Sequence, residues 1–100
     1  MFPPAAPQGL ETVIVPATGG MPAYVELAWN ISPEEDLAGY TIFRSEQGDS
    51  NGVSLTSELP APTFRDMTVL PGHHYFYRVA AVDRDGNVSP LSSPAEADIP

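Results

Sequence analysis

The feature that most constrains this chain is the run from Val69 to Val82, V-L-P-G-H-H-Y-F-Y-R-V-A-A-V, where a Pro71-Gly72 turn signal opens into strict alternation. Tyr75, Tyr77, Val79 and Ala81 share one face; Phe76, Arg78, Ala80 and Val82 share the other. Aromatic and branched residues at period two after a turn predict a strand with one face in a core. The rest of the chain then reads as about six partner strands for it.

Those partners follow in order. Leu10 to Val15 is a strand closed by Pro16, which suits an edge position because an edge can lose a donor to solvent. Tyr24 to Trp29 places Val25, Leu27 and Trp29 on one face and Tyr24, Glu26 and Ala28 on the other; Glu26 marks the wet side, so Trp29 points into the core. Tyr40 to Arg44 turns Tyr40 and Ile42 inward and Thr41 and Phe43 outward. Val53 to Leu55 and Thr63 to Met67 are short strands with Leu55 and Phe64 inward. The stretch Ser45 to Gly52, with its Asn51-Gly52 turn dipeptide, is loop. Asp83 to Asn87 is a tight turn in which Gly86 or Asn87 takes positive φ. Val88 to Ile99 is a last strand broken by Pro90 and Pro94, again an edge. No apolar period of helical length occurs, and seven short strands between turn signals predict an all-β sandwich.

A chain of 100 residues is one domain with one modest core. With no cysteine it has neither a disulfide nor thiolate chemistry. Thirteen acids against four arginines give a formal charge of −9, which repels phosphate backbones and anionic lipid, so no nucleic acid partner is expected. No run approaches the roughly 20 apolar residues of a membrane span, so no membrane insertion is expected either. The first residues hold no basic segment followed by an apolar core, and no signal peptide is expected; the chain is cytoplasmic or Met1 opens a piece cut from a longer protein. Residues 1–8, M-F-P-P-A-A-P-Q, read as a proline-rich linker with no core for Phe2 to join, and residues 9–100 as the domain.

With Trp29, Tyr40 and the Pro71 to Val82 run in view, the sequence resembles a fibronectin type III domain of bacterial type, over roughly Pro7 to Ile99. Trp29 matches the family's core tryptophan. Gly39-Tyr40-Thr41-Ile42-Phe43-Arg44-Ser45 looks like the third-strand pattern of bacterial members, and Pro71-Gly72-His73-His74-Tyr75 is similar to the turn leading to the family's tyrosine. Ala81-Val82-Asp83 and Gly86-Asn87-Val88-Ser89 resemble the end of the sixth strand and the loop beyond. The resemblance implies an immunoglobulin-like, seven-stranded antiparallel β-sandwich with sheets of three and four strands. It also implies a tyrosine corner in which the Tyr75 hydroxyl bonds backbone a few residues upstream. The expected core is Trp29, Tyr40, Ile42, Phe64, Tyr75, Tyr77 and Val79. Position 73, usually threonine in the family, is histidine here, which either loosens the corner or exposes an imidazole.

Candidate chemistry is sparse. His73 and His74 are adjacent, so in a strand they diverge and cannot chelate one ion. Asp83 to Asn87 resembles a calcium loop only in part, because its glycine comes too early and Pro94 stands where the bidentate glutamate belongs. Glu34-Glu35-Asp36 lacks a partner for acid–base work and reads as solvated surface. Asn30-Ile31-Ser32 and Asn87-Val88-Ser89 fit the glycosylation pattern, each followed by proline. Arg84-Asp85-Gly86 has the wrong order for the adhesion motif of some family members. No nucleophile stands near a base at a recognisable spacing, so no catalytic, cofactor or metal site is expected.

One surface feature remains. Phe43, Phe76 and Arg78 face outward on neighbouring strands, either as a self-contained cross-strand cluster or as a docking face. The expected role is a non-catalytic spacer or interaction module of a larger secreted or envelope protein, its proline-rich lead-in and its exit at opposite ends. Its partners are then neighbouring domains or another protein. The alternative is a specific protein- or glycan-binding module that uses its loops or the Phe43/Phe76/Arg78 face.

Overall fold

A computed structural model describes residues 4–48, 52–56 and 58–100. Phe2 and Asn51, named above, lie outside the described residues. Seven strands are present among the described residues: β1 (Glu11–Val15), β2 (Tyr24–Ala28), β3 (Leu37–Ser45), β4 (Val53–Ser54), β5 (Thr63–Asp66), β6 (His74–Asp83) and β7 (Ala95–Asp98). They form a three-stranded sheet in the order β1-β2-β5 and a four-stranded sheet in the order β4-β3-β6-β7. Every pairing is antiparallel. This is the expected all-β, seven-stranded sandwich.

The two inner faces meet in one core. Val25, Leu27 and Trp29 come from β2 and its end, Tyr40 and Ile42 from β3, and Tyr75, Tyr77, Val79 and Ala81 from β6, all buried. Phe64 packs against them but is only partly buried, because β5 pairs with β2 alone and leaves its other edge open. The Trp29 and Tyr40 rings meet edge-on at 5.2 Å. The Trp29 indole N–H is the one buried side-chain polar atom among the described residues with no hydrogen-bond partner.

Strand β3 is longer than expected and begins at Leu37, with a register shift between Leu37 and Gly39. Gly39 is required there: a Cβ would lie 2.8 Å from the Leu59 carbonyl oxygen, where the segment before β5 crosses and exchanges both backbone bonds with Tyr40.

The outer face of β6 departs from expectation. Arg78, Ala80 and Val82 are buried, not exposed. β6 is one of the two inner strands of its sheet, and the residues after β3 fold back so that the Gly48 carbonyl accepts from Arg78 Nη2 at 2.7 Å. The broken last strand has a physical explanation as well. Prolines at 90 and 94 bring no N–H, and beside them serine hydroxyls stand in for backbone: Val79 N donates to Ser92 Oγ at 3.0 Å and Ala81 N to Ser89 Oγ at 2.9 Å. Only Ala95–Asp98 remains regular.

Gln8 and Ile99, near the two ends of the described chain, lie at opposite poles. The Gln8 carbonyl accepts from Asn30 N, just past the end of β2. At the other end Ile99 exchanges bonds with His73 and Gly72, just ahead of β6 and level with the start of β2. Within the first stretch, Pro4 and Pro7 are buried and Ala5 N donates to Glu34 Oε1 at 3.2 Å.

Candidate interaction surface

The most connected polar group lies inside the sandwich. Asp66 on β5 is 2% exposed and accepts four hydrogen bonds: from Tyr77 Oη at 2.7 Å, Arg44 Nη1 at 2.8 Å, Thr68 Oγ1 at 2.6 Å and Thr68 N at 3.0 Å. Arg44 and Tyr77 belong to the opposite sheet, so one carboxylate ties the layers together. The Arg44 guanidinium also lies over the Tyr75 ring at 4.7 Å and donates to Thr68 Oγ1. Burial alone would raise the Asp66 carboxyl; the bonds from Thr68, Tyr77 and Arg44 together outweigh it and hold it below the usual range. Burial and the facing carboxylate push the Tyr77 phenol far up, so it stays protonated. Sequence reasoning missed this cluster, yet the signal was present: Arg44 is two residues past inward Ile42, and Asp66 is two past inward Phe64. With one carboxylate bonded from both sheets, the cluster is a clamp between them.

The surface picked out from sequence is compact. Phe43 and Arg78 stand directly opposite across β3 and β6, and Phe76 faces Ser45 on one side and Glu96 on the other. Both rings are half-buried, and Phe76 meets His74 edge-on at 4.9 Å. Arg78 is buried, which corrects its outward, accessible assignment.

The two histidines diverge. His73 pairs with Glu46 and stacks on Tyr75 at 5.9 Å, while His74 pairs with Glu96 at 2.9 Å and faces Asp98 at 3.7 Å. The hydrogen bond to Glu96, aided by the charges of Glu96 and Asp98, raises the His74 pKa. No group of three metal-ligating side chains converges among the described residues. The Asp83 carboxylate is taken up by the N–H groups of Asp85 and Asn87 and by the Asn87 side chain, and Gly86 takes the positive φ. The calcium-like motif is therefore a self-capped turn.

A second surface was not singled out from sequence. On the outer face of the three-stranded sheet, Ala28 stands between Glu11 and Thr63, and Glu26 between Val13 and Arg65. The small Ala28 side chain leaves a groove of about 640 Å³ lined by these residues and by Leu27 and Phe64. Arg65 donates to Glu26 at 2.7 Å and lies over the Tyr24 ring at 4.6 Å.

No protein-family model matches the chain. An amylopullulanase of Thermoanaerobacterium thermosulfurigenes is 34% identical over 92% of this chain, and an alpha-amylase of Niallia circulans 32% identical over 97%. The chain spans only 5% and 7% of their lengths. The crystal structure of an Fn3-like protein from Clostridium thermocellum superposes with a TM-score of 0.82 at 26% identity, covering 99% of this chain and 96% of that one.

The chain is a fibronectin type III-like domain. The tyrosine corner expected of a fibronectin type III domain is in place: the Tyr75 hydroxyl accepts from Leu70 N at 2.9 Å. Between them Gly72, at φ 78, and the Leu70–His73 backbone bond make the bend, a conformation that a residue with a Cβ adopts at a cost. Histidine at position 73 leaves the corner bond at ordinary length and adds a stacked ring beside it. Its partly exposed imidazole is the second of the two outcomes expected there.

Proposed function

We infer that this domain is a non-catalytic accessory module of a larger protein acting on α-glucans, working as a spacer or interaction unit outside the cytoplasm. The observation carrying this reading is one of proportion: nearly the whole chain aligns with about a twentieth of an amylopullulanase. Both relatives bear names that denote hydrolysis of α-linked glucans, and a segment that small in an enzyme that large fits an appended domain. Residues 9–100 would be the folding unit and residues 1–8 the lead-in to it. The opposite positions of the two ends suit a bead in a string. The Phe43/Phe76/Arg78 group acts in this reading as an internal cross-strand cluster, since Arg78 is buried against Gly48.

The test has two parts. The isolated domain, incubated with pullulan and soluble starch, should release no reducing sugar. Deleting it from a longer parent chain should leave turnover of a short maltooligosaccharide unchanged. Hydrolysis by the isolated domain, or loss of turnover on deletion, would overturn the reading.

A further inference from the structure

The groove on the outer face of β1-β2-β5 lies away from the face that packs on the other sheet, and its chemistry is specific. Its floor is the Ala28 methyl with Val13, 58% exposed, beside it. Polar groups stand around it, with the Glu11 and Glu26 carboxylates on β1 and β2 and the Thr63 hydroxyl and Arg65 guanidinium on β5. Arg65 is held in place by Glu26 on one side and the Tyr24 ring on the other, so the donor is pre-organised. Glu11 has no ion-pair partner among the described residues. The volume of about 640 Å³ falls within the roughly 300–1,000 Å³ of ligand sites.

An apolar strip with acceptors on one side and donors on the other matches a sugar ring, which presents C–H faces and a rim of hydroxyls that both donate and accept. Charge selects among sugars. A free carboxylate at the rim and a net charge of −9 repel anionic polymers and leave a neutral polyol unaffected. We propose that this groove binds a segment of neutral α-glucan, with Glu11 and Glu26 accepting from its hydroxyls, Arg65 and Thr63 donating to them, and Ala28 and Val13 beneath the ring. The choice of α-glucan over other neutral glycans rests on the reading of the chain as a module of an α-glucan-acting protein.

The test is native affinity electrophoresis of the 100-residue chain in gels containing pullulan or soluble starch, with carboxymethylated pullulan as the anionic comparison. The chain should be retarded by both neutral glucans and run freely in the anionic gel. Ala28→Arg, which fills the floor, should weaken retardation at least about tenfold. Thr63→Arg is the second variant should the first fail to fold as judged by its melt, and Phe76→Ala on the other sheet should change nothing. Free migration of the wild-type chain through pullulan and starch overturns the groove, as does retardation that Ala28→Arg and Thr63→Arg leave intact. Neither result bears on hydrolysis or on the deletion experiment, which decide the accessory reading separately.

Discussion

Replacing Asp66 with alanine tests the physical core of this structure. The carboxylate is 2% exposed and takes four hydrogen bonds, two of them from the opposite sheet. Removing one partner of a buried ion pair costs about 3–5 kcal/mol, because the other charge is left unpaired. The Arg44 side chain is 20% exposed and can recover some water, so the lower end, about 3 kcal/mol, applies. At roughly 4–8 °C per kcal/mol for a domain of this size, the melting temperature should fall by about 12–24 °C, read by circular dichroism near neutral pH. In a double-mutant cycle, Arg44→Met with Asp66→Leu should lose less than the sum of the single changes, since two apolar side chains leave no stranded charge. The pH dependence has a definite sign. The unfolded chain protonates Asp66 at higher pH than the folded one, so its contribution is present above about pH 4 and is lost as pH falls through the lowered folded value. Asp66→Asn should therefore flatten the acid limb of the stability curve. A melting shift of less than about 4 °C for Asp66→Ala, near 1 kcal/mol, would refute the clamp.

Four further outcomes follow from the same geometry. Trp29→Ala should cost about 3–5 kcal/mol in urea unfolding, as a large core ring is lost; an unchanged midpoint would mean the ring is not packed as described. Tyr75→Phe should cost about 1–3 kcal/mol by the same measurement, because the Leu70 N–H loses its acceptor. His74 should titrate above free histidine in an NMR pH series and drop back in Glu96→Gln; the pair's stabilisation is fully present below about pH 6.5, the unfolded value, and is lost as pH rises through the raised folded value. Phe76→Ala should leave the mass by light scattering equal to that of the wild-type chain, and a change in mass would revive the docking reading of that face.

Alternation of side chains carried most of the fold. It placed Tyr75, Tyr77 and Val79 inward from β6, Val25 and Leu27 from β2, and Tyr40 and Ile42 from β3, and each is buried. The same rule, carried two residues further, would have sent Arg44 and Asp66 inward. An inward tyrosine hydroxyl at position 77 already demanded a partner of that kind. The buried outer face of β6 was beyond reach for a different reason: period two tells which face a residue is on, not what a distant loop lays across it. The Arg78–Gly48 bond joins residues thirty apart in sequence. The outer-sheet groove depends on cross-strand register, with Ala28 between Glu11 and Thr63, and no local pattern reports register between strands separated by long connections.

The three fully buried tyrosines show how a small core without disulfides holds its connections. Each ring fills the interior, and each hydroxyl reaches to a segment outside the sheets or to the opposite layer. Tyr40 accepts from Ser32 N at 2.7 Å in the connection after β2, Tyr75 from Leu70 N in the connection before β6, and Tyr77 donates to Asp66. A phenol removed from water must find such a partner, so the apolar ring and the fixed loop come as one requirement. The positions matter for the two poles of the sandwich. Tyr75 pins the bend whose Gly72 and His73 hold the exit at Ile99, and Tyr40 pins the pole where Gln8 bonds Asn30. Both poles of the sandwich are therefore pinned, with the Asp66 clamp tying the two sheets together between them.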